Sequence, residues 1–281
     1  MLASTTHAAT WIRDFQGQAD QYRLERNGQA LAIEYYLTLQ NGDRLWATDK
    51  GYALRLERDD GTVVVVQSTN SPYTVQDTGK APGTVANLVG WAGAWLRTQK
   101  ENGAALPTAI LVARNEGKPI KFPLAPEGST RLSAGNQPLS LAWNGGTPPF
   151  RVRLERQGKE PVVFDQTNLD QRRFSSPPLE LSAGAYQLVV SDAVQQQATV
   201  AIDVVPMATL PPAPAGLLST STPDSLKETV YAVWLASQDQ ALILEAYQRA
   251  LRWQSQHEPA KWLVYSLEKG KRPEPPTFSK P

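Results

Sequence analysis

Cysteine is absent from the 281-residue chain. That removes disulfides, thiolate nucleophiles, Cys-ligated zinc and iron–sulfur clusters together, and leaves both oxidising and reducing compartments open. Histidine is nearly absent, with only His7 and His257. His7 sits in the polar lead-in Ser4-Thr5-Thr6-His7, and His257 follows a helical run directly before Glu258-Pro259, where the proline predicts a helix end. Both read as solvated or helix-capping side chains, not as a general base or metal ligand. An excess of one charge is lacking too: 28 Lys+Arg against 27 Asp+Glu leave +1, without the concentrated positive field that nucleic acids or anionic membranes require. Nucleic-acid binding is therefore not expected. The longest uncharged apolar-leaning stretch, Thr84 to Leu96, falls short of the ~20 residues that cross a bilayer, so no transmembrane helix is expected. Residues 1–10 have neither the basic start nor the apolar core of a secretory signal. The protein is then cytoplasmic, or it is periplasmic or in the cell envelope after removal of a leader upstream of Met1.

What the chain has in quantity is punctuation. Its 22 prolines and 19 glycines, beside 41% hydrophobic residues, predict many short elements around real cores, and its length predicts about two domains with a small third unit. From Trp11 to Val75, Asn27-Gly28, Asn41-Gly42 and Asp60-Gly61 separate strand-like runs, so residues 1–80 read as a small β domain. Tyr52, Leu54 and Leu56 alternate with Ala53, Arg55 and Glu57, predicting one apolar and one mostly charged face. Val63 to Val66 is apolar throughout, which predicts a strand covered on both faces. Within 81–129, Val85, Leu88, Val89, Ala92, Trp95 and Leu96 keep helical spacing, with Gly90 and Gly93 weakening the helix. A Pro/Gly-rich junction follows, carrying one short apolar strand at Ala109–Val112.

Residues 130–206 read as seven short strands of a sandwich, around Arg131-Leu132, 139–143, 150–156, 161–164, 173–181, 186–192 and 198–205, with Trp143 as core anchor. Residues 207–222 form a proline-rich linker. From 223 to 269 the period turns helical: Leu226, Val230, Val233 and Trp234 make one stripe, Leu242, Ala246, Leu251 and Trp253 a second, and Trp262, Leu263 and Leu267 a short third. About 45 residues of helix cannot bury much alone, so this segment needs a dock on the β domains or on another protein. The last stretch, 270–281, reads as a mobile tail.

Motifs with chemical potential are few. Asp77-Thr78-Gly79 matches the aspartic-protease triplet, but it follows Thr74-Val75-Gln76, not a buried apolar strand, and has no second copy; it reads as a turn. Asn144-Gly145-Gly146-Thr147 lacks the Lys-Ser/Thr of a phosphate loop and lies between strands. No cofactor or metal is expected, and no catalytic residues are assigned. Five tryptophans on the helical segments, Trp91, Trp95, Trp234, Trp253 and Trp262, are the candidate interaction residues. They serve packing within the chain or a protein interface, with stacking on a sugar or base a further option.

Gly17-Gln18-Ala19-Asp20, Gly42-Asp43-Arg44-Leu45, the strand Tyr52–Leu56 and the hairpin Asp60-Gly61-Thr62-Val63 together resemble the FecR-type β domain over about residues 10–76. That resemblance implies a noncatalytic, typically periplasmic interaction or signalling domain; the cytoplasmic anti-sigma region and membrane span of signalling members have no counterpart here. Leu141–Trp143, Phe150–Leu154 and Gly184-Ala185-Tyr186 similarly resemble bacterial immunoglobulin-like modules, a fold that implies no activity by itself. The expected fold class is mainly β with α: FecR-like β domain, linking helix, immunoglobulin-like β-sandwich, C-terminal helical segment. The expected function is a non-enzymatic cell-envelope scaffold acting on a protein partner. The alternatives are a cytoplasmic regulatory partner or proteolytic substrate of a larger machine, and an enzyme using carboxylate or Ser/Lys chemistry.

Overall fold

The computed structural model describes residues 10–58, 60–76, 84–102, 117–158, 162–217 and 222–277. These fall into two compact units, one holding the chain up to Thr98 with Ala213–Val230, the other Gln99–Pro212 with Tyr231–Pro275. The protein is mainly β with α, as its spacing predicts. His7, the Asp77-Thr78-Gly79 triplet and the Ala109–Val112 strand lie outside the described residues.

In the first unit, β1 (Thr10–Phe15), β4 (Thr38–Leu39), β6 (Leu54–Arg58) and β7 (Val63–Val66) form one sheet in the order β4-β1-β6-β7. A second sheet runs β3-β2-β5-β8, from β2 (Tyr22–Arg26), β3 (Gln29–Leu31), β5 (Arg44–Ala47) and β8 (Tyr73–Thr74). Ile12, Leu54, Leu56 and Val66 of the one share a core with Tyr22, Leu24 and Leu45 of the other. Asn27-Gly28 closes the β2–β3 hairpin with φ of 50° and 80°, the left-handed pair a two-residue turn requires. Asn41-Gly42 does not close a hairpin: β4 and β5 belong to different sheets, and the turn carries the chain from one to the other. Asp43 secures that corner. Its buried carboxylate accepts both Nε (2.9 Å) and Nη2 (2.7 Å) of Arg26 and the Gln40 N–H (2.8 Å).

Two sequence expectations fail here for one reason, the placement of the covering layer. Glu57 does not face solvent; it is 1% exposed, and Trp11 and Ala53 on the same face of this sheet are buried with it. That face is also where Thr222 donates to Glu57 Oε1 (2.9 Å). The strand β7, conversely, is not covered on both faces: it is the edge of its sheet, and although Val66 is buried, Val65 is 39% exposed. The helix α1 (Thr84–Asn102) buries Ala86, Leu88, Val89, Ala92 and Leu96. Gly93, which costs helix propensity, permits close packing: a Cβ there would stand 2.6 Å from the Tyr36 Cβ.

The second unit is the predicted seven-stranded sandwich. A five-stranded sheet, β12-β11-β14-β15-β9, is built from β9 (Ser129–Ser133), β11 (Phe150–Arg156), β12 (Phe164–Leu169), β14 (Gly184–Ser191) and β15 (Gln197–Val205). A two-stranded sheet pairs β10 (Gly135–Ala142) with β13 (Arg173–Leu181). Leu139, Leu141, Val152, Leu154, Leu188 and Ile202 alternate inward into the core. Trp143 is buried as expected and meets Phe150 edge-to-face, ring centres 5.3 Å apart. At the start of β14 the Tyr186 hydroxyl donates to the Ser182 carbonyl (2.9 Å), the tyrosine corner of immunoglobulin-like sandwiches. Among the described residues all strand pairs are antiparallel except β15 with β9, which is parallel.

Three helices follow: α2 (Asp224–Gln238), α3 (Ile243–Leu251) and α4 (Glu258–Glu268). Glu258-Pro259 opens α4 instead of ending a helix, since proline is tolerated in the first turn where no N–H is needed, and His257 is the buried residue preceding it. Residues 270–277 carry no regular secondary structure.

Candidate functional site

The helix α3 occupies, against β10, the place a further strand would take. Ser140 on the open edge of β10 gives its N–H to Gln248 Oε1 (3.0 Å), and Gln248 Nε2 donates to the Ser140 carbonyl (2.7 Å). One glutamine amide thus satisfies both backbone groups of an edge residue, which would otherwise invite pairing with another chain. One turn earlier on α3, Glu245, 1% exposed, accepts the Ser133 N–H (2.9 Å), the Ser133 hydroxyl and Arg249 Nε (2.8 Å). A buried carboxylate needs this many donors to offset its lost hydration. Arg249 in turn lies over the Tyr231 ring at 4.8 Å.

Between the β10–β13 sheet and α3 runs an open groove of about 480 Å³. Phe174 and Leu251 supply apolar lining, and Ser140 and Ser175 lie side by side with their hydroxyls 2.9 Å apart. The charged residues that line it are Arg173 and Arg252, and no carboxylate does. Both guanidiniums are held from behind. Arg173 pairs with Glu268, whose other oxygen accepts the Tyr247 hydroxyl (2.9 Å). Burial, reinforced by the Glu268 charge, raises the Tyr247 phenol far above its ordinary range, so it stays a donor to that carboxylate. Arg252 Nη2 donates to Gln137 Oε1 (2.7 Å), and Gln137 Nε2 to the Ser133 carbonyl (2.9 Å). Gln171 and Gln254 are exposed at the groove with free-standing amides on its rim.

None of these lining residues is distinguished in the sequence, because Ser140 and Gln248 meet across 108 positions and their register exists only after folding. The five tryptophans do not converge. Trp91 and Trp95 lie on α1 in the first unit; Trp234 on α2, Trp253 beyond α3 and Trp262 on α4 belong to the second. All five are half-buried. Trp234 stacks on Tyr231 at 5.9 Å, and Trp262 donates to Glu258 (3.2 Å) and meets Tyr265 edge-on at 6.1 Å. Lys100 also pairs with Glu258 (3.1 Å). Burial pushes that carboxyl up, but the Trp262 and Lys100 bonds prevail and hold it below its ordinary value.

The Gly145-Gly146 loop serves structure. Both glycines have positive φ, their carbonyls accept from Arg172 Nε and Nη2 (2.8 Å each), and a Cβ on Gly145 would stand 2.1 Å from the Pro119 carbonyl oxygen. Among the described residues no cluster of His, Asp and Glu has the arrangement of a metal site, and no helix is long and apolar enough to cross a membrane.

No family model matches the chain, and no curated protein does. Solved structures similar to part of it include the ZIG-8–RIG-5 IG1–IG1 heterodimer in its monoclinic form, 10% identical over 27% of this chain and 81% of that one, with a TM-score of 0.20. Another is Dpr1 IG1 bound to DIP-eta IG1, 12% identical over 32% of this chain and 92% of that one, with a TM-score of 0.21. The immunoglobulin-like description of the second unit rests on its own strand order and tyrosine corner.

Proposed function

We propose that this protein is a non-enzymatic interaction or scaffold component of the cell envelope that acts by binding another protein. The observation that carries the reading is the groove beside α3. Arg173, Arg252, Tyr247 and Gln248 in its lining are fixed by intramolecular bonds, so that part of the surface is ordered before any partner arrives, which lowers the entropic cost of binding. The buried carboxylates Asp43, Glu57, Glu245 and Glu268 are each engaged in holding one element to another. The FecR-like character of the first unit rests on the Gly42-Asp43-Arg44 corner and the order of its strands and turns, and the envelope assignment rests on that resemblance. A protease-substrate role fits less well, because Leu210 and Leu217 of the proline-rich stretch are buried and the Tyr231 hydroxyl is bonded to the Pro211 carbonyl (2.7 Å).

The test is a photo-crosslinking amino acid placed at Gln171 in the native host, followed by fractionation. A discrete cross-linked envelope protein is the expected product. Recovery of all native protein in the cytosol would remove the envelope assignment, and absence of any cross-linked protein at this position would remove the groove as its interface.

A further inference from the structure

We propose that the groove beside α3 takes an extended acidic segment of the partner, with carboxylates interleaved between small or apolar residues; this rests on the interaction reading above and adds the chemistry of what is bound. Charge comes first. Arg173 and Arg252 line the groove and no carboxylate does; Glu268 behind the wall already offsets the charge of Arg173, whereas Arg252 is bonded to the neutral amide of Gln137 and keeps its charge for an entering anion. A guanidinium has five N–H donors in a planar fork. The bonds to Glu268 and Gln137 leave from Nη2 in each case, which orients the guanidinium and leaves N–H groups on its other nitrogens to donate charge-assisted bonds to a carboxylate.

The remaining lining selects a peptide over a bare anion. Gln171 and Gln254 offer side-chain amides, each able to donate and accept, and the Ser140–Ser175 hydroxyl pair adds two more groups of the same kind. In the wall of this same groove Gln248 already shows what such an amide does, pairing with the N–H and the carbonyl of one backbone residue at once. A peptide main chain presents that pair at every residue, whereas a phosphate or sulfate presents acceptors only. Phe174 and Leu251 then give the alternate, non-acidic side chains of an extended segment an apolar surface.

The full chain is titrated, by fluorescence anisotropy, into a fluorescein-labelled decapeptide of alternating Asp and Ala, with the Asn/Ala peptide as control. The Asp peptide is expected to bind, to weaken as salt is raised, and to lose affinity roughly tenfold with Arg252→Gln. Because that change also removes a bond to Gln137, a second variant, Gln254→Glu, places a repelling charge on an exposed side chain, and a comparable loss is expected with unchanged circular dichroism. Equal binding of the Asn peptide, or undiminished binding by both folded variants, would overturn the inference. So would binding of polygalacturonate in preference to the peptide, since the groove would then be a saccharide site. The two readings fail separately. If Arg252→Gln still yields the cross-linked partner and the peptide does not bind, only the acidic-segment inference falls; if the peptide binds and no envelope protein is ever cross-linked, only the interaction reading does.

Discussion

Glu57 is the residue whose environment most contradicts its chemistry. It is 1% exposed, accepts one hydrogen bond from Thr222, and its Oε2 has only Arg13 at 3.9 Å. Burial raises its carboxyl above the ordinary 4.5, and the Thr222 bond and Arg13 charge only partly oppose this. A carboxyl whose folded pKa exceeds its unfolded value binds its proton more tightly when folded, so its contribution to stability is present at low pH and is lost as pH rises through the folded value. Glu57→Gln keeps the shape and the acceptor for Thr222 while removing the charge. It is expected to raise the melting temperature at pH 8 and to lose that advantage near pH 4. A melting temperature lowered at pH 8 and restored near pH 4 would show that the charged form is the stabilising one. The pattern in the sequence could not place Glu57, because alternation along a strand reports which residues share a face and not whether a later segment covers it.

At the scale of elements, α3 is a helix doing the work of a strand. Gln248 satisfies two backbone groups of β10, and leaving a buried group unpaired costs about 1–3 kcal/mol. Gln248→Ala is therefore expected to destabilise the second unit by about 2–4 kcal/mol in urea unfolding, an estimate reduced from the sum because water can enter the space. Amide exchange at Ser140 is expected to accelerate well beyond that of its neighbours; unchanged exchange there would mean the helix is not what closes this edge. The helical spacing of Leu242, Ala246 and Leu251 made the existence of α3 legible, as the Asn-Gly dipeptide made the β2–β3 hairpin legible. Its docking was not, since Glu245, Gln248 and Arg249 carry no apolar signal that would mark them as buried. They are buried along with the apolar stripe because an open sheet edge offers them hydrogen bonds, which no periodicity of apolar residues can reveal.

For the whole molecule, the C-terminal helices are part of the fold. Leu242, Ile243, Leu244, Ala246, Tyr247, Leu263 and Leu267 are each at most 4% exposed. Burying each large side chain among them is worth about 1.5–3 kcal/mol, so a chain ending at Gln238 is expected to melt lower and to aggregate, which a melting curve and the soluble yield on expression would show. An unchanged melting temperature with loss of the cross-linked partner would instead assign these helices to the interface alone.

Composition and local pattern by themselves determined the fold class, six of the seven strands of the sandwich, the Trp143 anchor and the existence of the helices; the strand expected at 161–164 lies instead at Phe164–Leu169. These depend on interactions between residues a few places apart, so a period of two or of three to four, broken by Gly, Pro and Asn, is sufficient to specify them. Only tertiary structure decided that β7 is an edge, that Glu57 is covered, and that α3 completes the β10 edge and so creates a groove lined by Arg173 and Arg252. Each of those depends on which distant segments meet, and the energy of a covered carboxylate or a paired edge is set by the partner that arrives, not by the residue's neighbours along the chain.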